Sequence, residues 1–247
     1  MKLDDVKKLH QKKYRTQLGY YLVEGEHLVL ELQKALKNQS DITAITLYIT
    51  EEHQQWANKL NPAFSAVVVT KKQMAAISDT KTPQGILACV PLPKHSLTTT
   101  KHSHKARYIY LHEVQDPGNL GTILRSLAWF GGFQLILSPN SVDPFNSKVV
   151  RSSMGAIFHV PIEFDVPLDA LQSRFKRFAY LDMQGSKVNS AEFADYECYL
   201  FGNEARGVPR DTLTSFNADA FTINGSGNID SLNLASAVNI CVYQLSV

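Results

Sequence analysis

Three stretches of this 247-residue chain hold polar residues of kinds and spacings that could do chemistry. The first, HEVQDPGNLGTILRS (112–126), places Asn119, Gly121 and Arg125 after a Pro117-Gly118 turn. Asn119 can cap a helix and Gly121 lets another backbone come close. Arg125 shares a helical face with Gly121 and can address a phosphate. The second, FGNEARGVP (201–209), sets Gly202, Asn203 and Glu204 directly after an apolar run. A plain turn accounts for the glycine, the asparagine and Pro209, but not for a carboxylate at that place. The third, INGSGNIDSLNLASA (223–237), has almost bare backbone at Gly225-Ser226-Gly227, able to wrap a ligand closely. Ser231 and Asn233 then open an apolar helix, with Asp230 or Ser231 as the candidate cap. No GxGxxG follows the first strand and no GxxxxGK[ST] occurs, which disfavours a standard dinucleotide or P-loop site.

These stretches need elements to hold them, and from residue 107 strand and helix patterns alternate. Strands are expected at 107–114, 133–138, 178–183, 196–201 and 220–223. A helix over 119–130 puts Leu120, Ile123, Leu124 and Leu127 on one face and stops at Gly131-Gly132. A helix over 167–178 starts at Pro167 and turns Leu168, Leu171 and Phe175 inward. A last helix over 230–245 turns Leu232, Ala235, Val238 and Val242 to a core. This alternation implies a parallel sheet covered on both faces, with ligands bound outside the carboxyl ends of its strands. All three polar stretches follow such ends.

The part before residue 92 reads as a smaller α/β unit. It has a helix over 24–37 and strands at Ile42–Thr50, 65–70 and 85–90. Between the two parts, PLPKHSLTTTKHSHKA (91–106) lacks apolar periodicity and reads as a linker. Its three histidines, His95, His102 and His104, have no scaffold to make them metal ligands. The domains are therefore expected at 1–92 and 107–247, with the linker at 93–106.

Composition excludes other classes. At 44% hydrophobic the chain can bury a core, and it has no apolar run long enough to span a bilayer. Its charged start is no secretory signal. Cys89, Cys198 and Cys241 form no CxxC pair, so neither a zinc site nor a disulfide framework is expected, and the chemistry fits a reducing cytoplasm. The formal charge is only +2, but residues 1–20 set Lys2, Lys7, Lys8, Lys12, Lys13 and Arg15 against Asp4 and Asp5. Such a cluster is either a solvated helix face or a patch for polyanions.

Together the segments NLGTILRSLAWFGG, LFGNEARGVP and SLNLASAVNICVYQL resemble the three ordered motifs of the SpoU/TrmH family of RNA 2′-O-ribose methyltransferases, within the SPOUT class. SSMGAIFHVP (152–161) resembles the family's segment between the first two. KKYRTQLGYYLVEGEHLV (12–29) and SDTKTPQGILACV (78–90) are similar to the substrate-binding domain many members carry.

The resemblance implies a parallel α/β methyltransferase domain whose C-terminal part threads a trefoil knot, preceded by a small α/β substrate-binding domain. General topology rules alone would give an unknotted sheet. It further implies S-adenosyl-L-methionine as cofactor, no metal, an RNA substrate and a homodimer, to which Leu234, Ala237 and Val238 could contribute. The implied cofactor-binding residues are Phe201, Gly202, Ile223, Ser231 and Leu232. The implied catalytic set is Asn119, Arg125, Glu204, Ser231 and Asn233. Arg125 is expected to clamp the target phosphate and offset alkoxide charge, since a guanidinium is a poor base. Glu204 either orients the motif loops or is itself the base. Lys7, Lys8, Lys12, Lys13, Arg15 and Arg125 are the expected RNA contacts. Ribosomal RNA is favoured as substrate. Transfer RNA, or a non-catalytic RNA-binding or ribosome-assembly role on the same fold, are the alternatives.

Overall fold

A computed structural model describes residues 1–36, 45–62, 64–93, 106–229 and 231–247. The linker and its three histidines, at 94–105, lie outside the described residues, as does Asp230. By packing, the chain forms two compact units. One comprises the described residues of 1–95 with Asp143–His159, the other those of 96–142 with Val160–Val247. Residues 143–159 thus pack with the N-terminal residues although they stand inside the 107–247 stretch of sequence. Among the described residues no helix is long and apolar enough to cross a membrane.

The first unit holds a four-stranded sheet of order β1 (Tyr20–Glu24), β4 (Ile86–Pro91), β2 (Ile45–Ile49) and β3 (Phe64–Val68). β2 and β3 run parallel, while β1 and β2 both run antiparallel to β4. Around it lie α1 (Leu3–Lys8), α2 (Lys12–Leu18), α3 (Glu26–Leu36), α4 (Gln54–Ala57), α5 (Lys71–Ile77) and α7 (Ser147–Ser152). Its core joins Val6, Leu9, Leu22, Tyr48, Met74, Ile77 and Leu87. The sequence pattern missed β1, whose run YYLVE shows no alternation because three consecutive residues are buried. It also carried the third strand on to Thr70, which instead caps α5 in a reciprocal box with Gln73.

The second unit is built on six parallel strands of order β10 (Ala218–Thr222), β8 (Phe178–Lys187), β9 (Cys198–Phe201), β5 (Arg107–Leu111), β6 (Phe133–Leu137) and β7 (Ile162–Glu163). The central runs YIYL, LIL and CYLF are buried on both faces, as a covered parallel sheet requires. α6 (Pro117–Phe130) begins with Asp116 as cap and Pro117 in its first turn, and buries Leu120, Ile123, Leu124 and Leu127. It packs against α10 (Leu234–Gln244). The helix expected over 167–178 is only α8 (Ala170–Arg174). Phe175 is already extended there, so that it and Phe178 both enter the core beside Tyr108 and Leu171. The short α9 (Arg210–Leu213) follows the second polar stretch.

The last helix begins at Leu234 rather than 230, and its cap is Asn233, not Asp230 or Ser231. Leu232 therefore precedes the helix and is 46% exposed instead of facing the core. Val238 is fully buried within the unit and unavailable as a dimer contact.

Candidate functional site

β9 and β5 are neighbours at the centre of the second sheet, and the chain leaves both at their carboxyl ends. His112 is tied to this edge by its backbone N–H, which donates to the Phe201 carbonyl at 2.9 Å. After Phe201 the chain makes a closed turn. The Asn203 and Gly207 backbones exchange hydrogen bonds of 2.9 and 2.8 Å. The Asn203 side chain, 7% exposed, fastens the turn from inside. Its oxygen accepts the Ala205 and Arg206 N–H groups at 2.9 and 3.0 Å, and its amide donates to the Glu113 carbonyl at 2.7 Å. Gly202 is required by close approach, because a Cβ there would overlap the Gly207 backbone.

This turn carries Glu204 to the start of α6. Its carboxylate accepts the N–H of Gln115 at 3.2 Å, the N–H of Asp116 at 3.2 Å and the Asn119 amide at 3.3 Å. Asn119 in turn accepts, through Oδ1, the Asn233 amide at 2.9 Å. Asn233 divides its side chain, since Oδ1 caps α10 by accepting the Ser236 N–H at 3.2 Å while Nδ2 reaches Asn119. The fold thus links Glu204, Asn119 and Asn233, from three separate stretches, into one hydrogen-bonded chain at the carboxyl edge of the sheet.

The remaining candidates are placed differently. Arg125 points outward from α6. Among the described residues it is the one arginine with no hydrogen bond, ion pair or ring contact. The others bond to Asp143, the Leu245 carbonyl, Asp79, Glu163, Glu113 and Asp182, or lie over the Tyr196 ring. Phe201 is buried and Gly202 partly so. Ile223 is half-buried, and Ser231 and Leu232 are exposed before the α10 cap. Gly225 and Gly227 have open space around them, and Ile229 in the same stretch is 72% exposed.

In the first unit Lys7, Lys8, Lys12 and Lys13 are exposed, and Lys7 and Lys8 line an open depression with Asp4, His10 and Gln11. Arg15 departs from the expectation of an RNA contact, because it is 3% exposed and fully engaged inside the unit. Its guanidinium holds the Asp143 carboxylate at 2.9 and 2.5 Å and the Leu9 carbonyl at 2.8 Å. Among the described residues no group of His, Cys, Asp and Glu is placed to hold a metal ion.

Sequence reading also missed two residues at the edge. Burial pushes the His112 imidazole below its ordinary pKa, and its Nδ1 is buried without a partner among the described residues. Glu113 has a left-handed backbone (φ 51°) and pairs with Arg206. The only trace of the pair in the sequence is an acid and a base in two turns about ninety positions apart, which no periodicity rule connects.

The SpoU rRNA Methylase family model matches residues 106–243, which contain the whole Glu204–Asn119–Asn233 chain. The protein belongs to the SpoU rRNA methylase family. Residues 2–88 match the MRM3-like substrate binding domain. The 23S rRNA (guanosine(2553)-2′-O)-methyltransferase RlmP of Bacillus subtilis is 30% identical over 248 residues, covering 99% of this chain and 95% of that protein. Two solved structures extend the likeness to the fold. One is a putative RNA methyltransferase of the TrmH family from Porphyromonas gingivalis, with TM-score 0.82, 27% identity, and 98% of this chain and 96% of that one covered. The other is the AdoMet-bound rRNA methyltransferase of Sinorhizobium meliloti, with TM-score 0.81, 25% identity, and 98% and 93% covered.

Proposed function

We propose that this protein is an S-adenosylmethionine-dependent methyltransferase that modifies a ribose 2′-hydroxyl in ribosomal RNA. The observation that carries the reading is the hydrogen-bonded junction of Glu204, Asn119 and Asn233 at the strand carboxyl ends. The RlmP relative, similar over nearly the whole chain, supports ribosomal rather than transfer RNA.

The residues around Phe201, Gly202, Ile223, Ser231 and Leu232 suit the cofactor. A flat heterocycle needs apolar walls and a few backbone hydrogen bonds. The stretch from Ile223 to Leu232 offers bare glycine backbone in open space and apolar side chains left in solvent. When bound, S-adenosylmethionine supplies a methyl group already activated on a sulfonium. The chain's own residues then position the ribose hydroxyl and manage its charge. Orientation alone can remove about 7–11 kcal/mol of a barrier at best. Arg125, with no internal partner among the described residues, clamps the target phosphate and offsets the developing alkoxide charge. Asn119, fixed between Glu204 and Asn233, anchors the start of the helix that carries Arg125. Glu204 accepts three donors from the 115–119 segment and acts by positioning it.

The same proposal assigns RNA binding to 1–92, through Lys7, Lys8, Lys12 and Lys13, and methyl transfer to 107–247, with 93–106 as linker. It includes the family's trefoil knot. It also includes a homodimer, supported by apolar side chains left in solvent on α6 and at the C-terminus: Trp129 is 85% exposed, Tyr243 56% and Val247 81%. A cytoplasmic setting is supported by the three buried free thiols.

The test is methyl transfer from labelled S-adenosylmethionine to total RNA from a strain lacking this gene, with Arg125→Ala alongside. Label in one ribosomal RNA, located on a ribose 2′ oxygen and lost in the variant, is the expected result. Label on a base, or equal labelling by the variant, would overturn it.

A further inference from the structure

The turn that carries Glu204 also carries a second arginine, and its surroundings are unusual. Arg206 follows Glu204 by two positions, and its backbone N–H is pinned by Asn203. The root of its side chain is therefore fixed, while the side chain itself is 70% exposed. The guanidinium rests on the Glu113 carboxylate.

Glu113 is held independently of Arg206. Its N–H donates to the Ser138 hydroxyl at 2.6 Å. Its carbonyl accepts the Asn203 and Gln115 amides at 2.7 and 3.0 Å. Its carboxylate also accepts the Asn140 amide at 3.4 Å. These bonds sustain a left-handed backbone (φ 51°) that few residues other than glycine and asparagine adopt. An anchored anion therefore faces an exposed, delocalised cation beside the Glu204–Asn119 contact. The pair contributes little to stability at such exposure, so exchanging the carboxylate for another anion meets little resistance. A guanidinium fork matches a phosphate as well as a carboxylate.

We propose that Arg206 is a second clamp for an RNA backbone phosphate, and that the Glu113 carboxylate occupies that phosphate's place until RNA arrives. The inference rests on the reading of this edge as an RNA-modifying site. It adds to Arg125 a contact on a different loop, and it makes Glu113 a competitor for Arg206 rather than a brace for the turn.

The two roles differ in sign. As a competitor, Glu113 weakens RNA binding, whereas as a brace it supports it. The experiment measures binding of the full-length protein to a fluorescently labelled single-stranded RNA of mixed sequence across a salt series. It compares the wild type with Glu113→Gln, Arg206→Gln and Arg206→Lys, and follows cofactor affinity by calorimetry. Gln at 113 keeps the backbone bonds and a side-chain oxygen for Asn140 but releases the guanidinium. Glu113→Gln is expected to tighten RNA binding about 3–5-fold at low salt, and Arg206→Gln to weaken it by a similar factor and lower the salt slope by about 0.7. Arg206→Lys should restore the slope but only part of the affinity. If Glu113→Gln and Arg206→Gln weaken RNA and cofactor binding alike, the pair is a brace and the clamp is wrong. If the wild type methylates RNA and yet Glu113→Gln leaves its affinity unchanged, the clamp alone falls. If the wild type neither binds nor methylates RNA, the reading of the site falls and takes the clamp with it.

Discussion

Replacing Glu204 by glutamine separates a positioning carboxylate from a base. Three donors meet the carboxylate, two at 3.2 Å and one at 3.3 Å. Glutamine keeps the shape, removes the charge and turns one acceptor into a donor. One of the three bonds is then lost, and the other two fall from charge-assisted to neutral strength. At the weak ends of the usual ranges that is about 1.5 kcal/mol for the lost bond and about 1 kcal/mol for each weakened one. The side chain is exposed, so water recovers much of this, and about 1.5–2 kcal/mol remains to misalign Asn119 and the 115–119 backbone. That corresponds to a fall of about 10–30-fold in kcat/KM. Loss of a general base costs about 10²–10⁴-fold and removes the acidic limb of the pH–rate profile. Single-turnover methyl transfer to ribosomal RNA over a pH series, with cofactor and RNA affinities measured separately, distinguishes the two. A drop beyond the base-loss threshold, with both affinities intact and the acidic limb gone, would refute the positioning argument.

Other expectations follow from particular contacts. Arg15→Met leaves the Asp143 carboxylate, only 13% exposed, without its cation and should cost about 2–4 kcal/mol in urea unfolding. It should leave the salt slope of RNA binding unchanged, whereas neutralising Lys7, Lys8, Lys12 and Lys13 together should flatten that slope at little cost in stability; the reverse pattern would restore Arg15 as an RNA contact. Gly202→Ala forces a Cβ into the Gly207 backbone, at a cost of about 1–3 kcal/mol, and calorimetry should show weakened cofactor binding; unaltered binding would separate this turn from the cofactor. The Ser147 hydroxyl, with Arg151, holds the Asp79 carboxyl below its ordinary pKa despite partial burial. Its contribution is therefore complete above the unfolded pKa and lost as pH falls through the folded one. Asp79→Asn should lower Tm at neutral pH, and the gap from wild type should begin to narrow below about pH 4 and close beneath the depressed folded pKa; a gap independent of pH would contradict the assignment.

What could be read from the sequence divides by the range of the interaction. The helix over 119–130 was legible because Leu120, Ile123, Leu124 and Leu127 repeat at a period the backbone itself imposes, and the buried runs YIYL and CYLF because both their faces are covered. The first two polar stretches are legible because each follows such a run, and the third because it follows the short strand pattern at 220–223. What failed depended on partners far along the chain. The helix at 167–178 is cut short by the demand of Phe175 and Phe178 for one core. Arg15 sits among exposed lysines in sequence, and a carboxylate 128 positions away, with the Leu9 carbonyl, holds it inside. The same reach set the cap of α10. Ser231 and Asp230 are good local candidates, but Asn233 can cap and hold Asn119 at once, which joins the helix start to the site.

Arg125 shows the opposite case, a residue defined by what the fold leaves undone. A guanidinium on a protein surface costs little to leave in water, so its freedom alone proves nothing. The contrast with its neighbours is more telling. Among the described residues seven arginines find a carboxylate, a carbonyl or a ring, and even Arg206, 70% exposed, finds Glu113. Arg125 leaves a rigid helix whose first turn is fixed by Glu204 and whose Ser126 hydroxyl donates to Asn239 of α10 at 2.6 Å. The helix under it is tied at both its first turn and Ser126, yet among the described residues its charge meets no partner. A fixed base with a free head is the arrangement that lets a side chain meet a substrate phosphate without first breaking an internal pair. On this argument Arg125 binds RNA directly and Arg206 only after displacement of Glu113. Losing Arg125 should therefore reduce RNA affinity in the wild type and in Glu113→Gln by the same factor, and unequal factors would show that the two arginines share one phosphate.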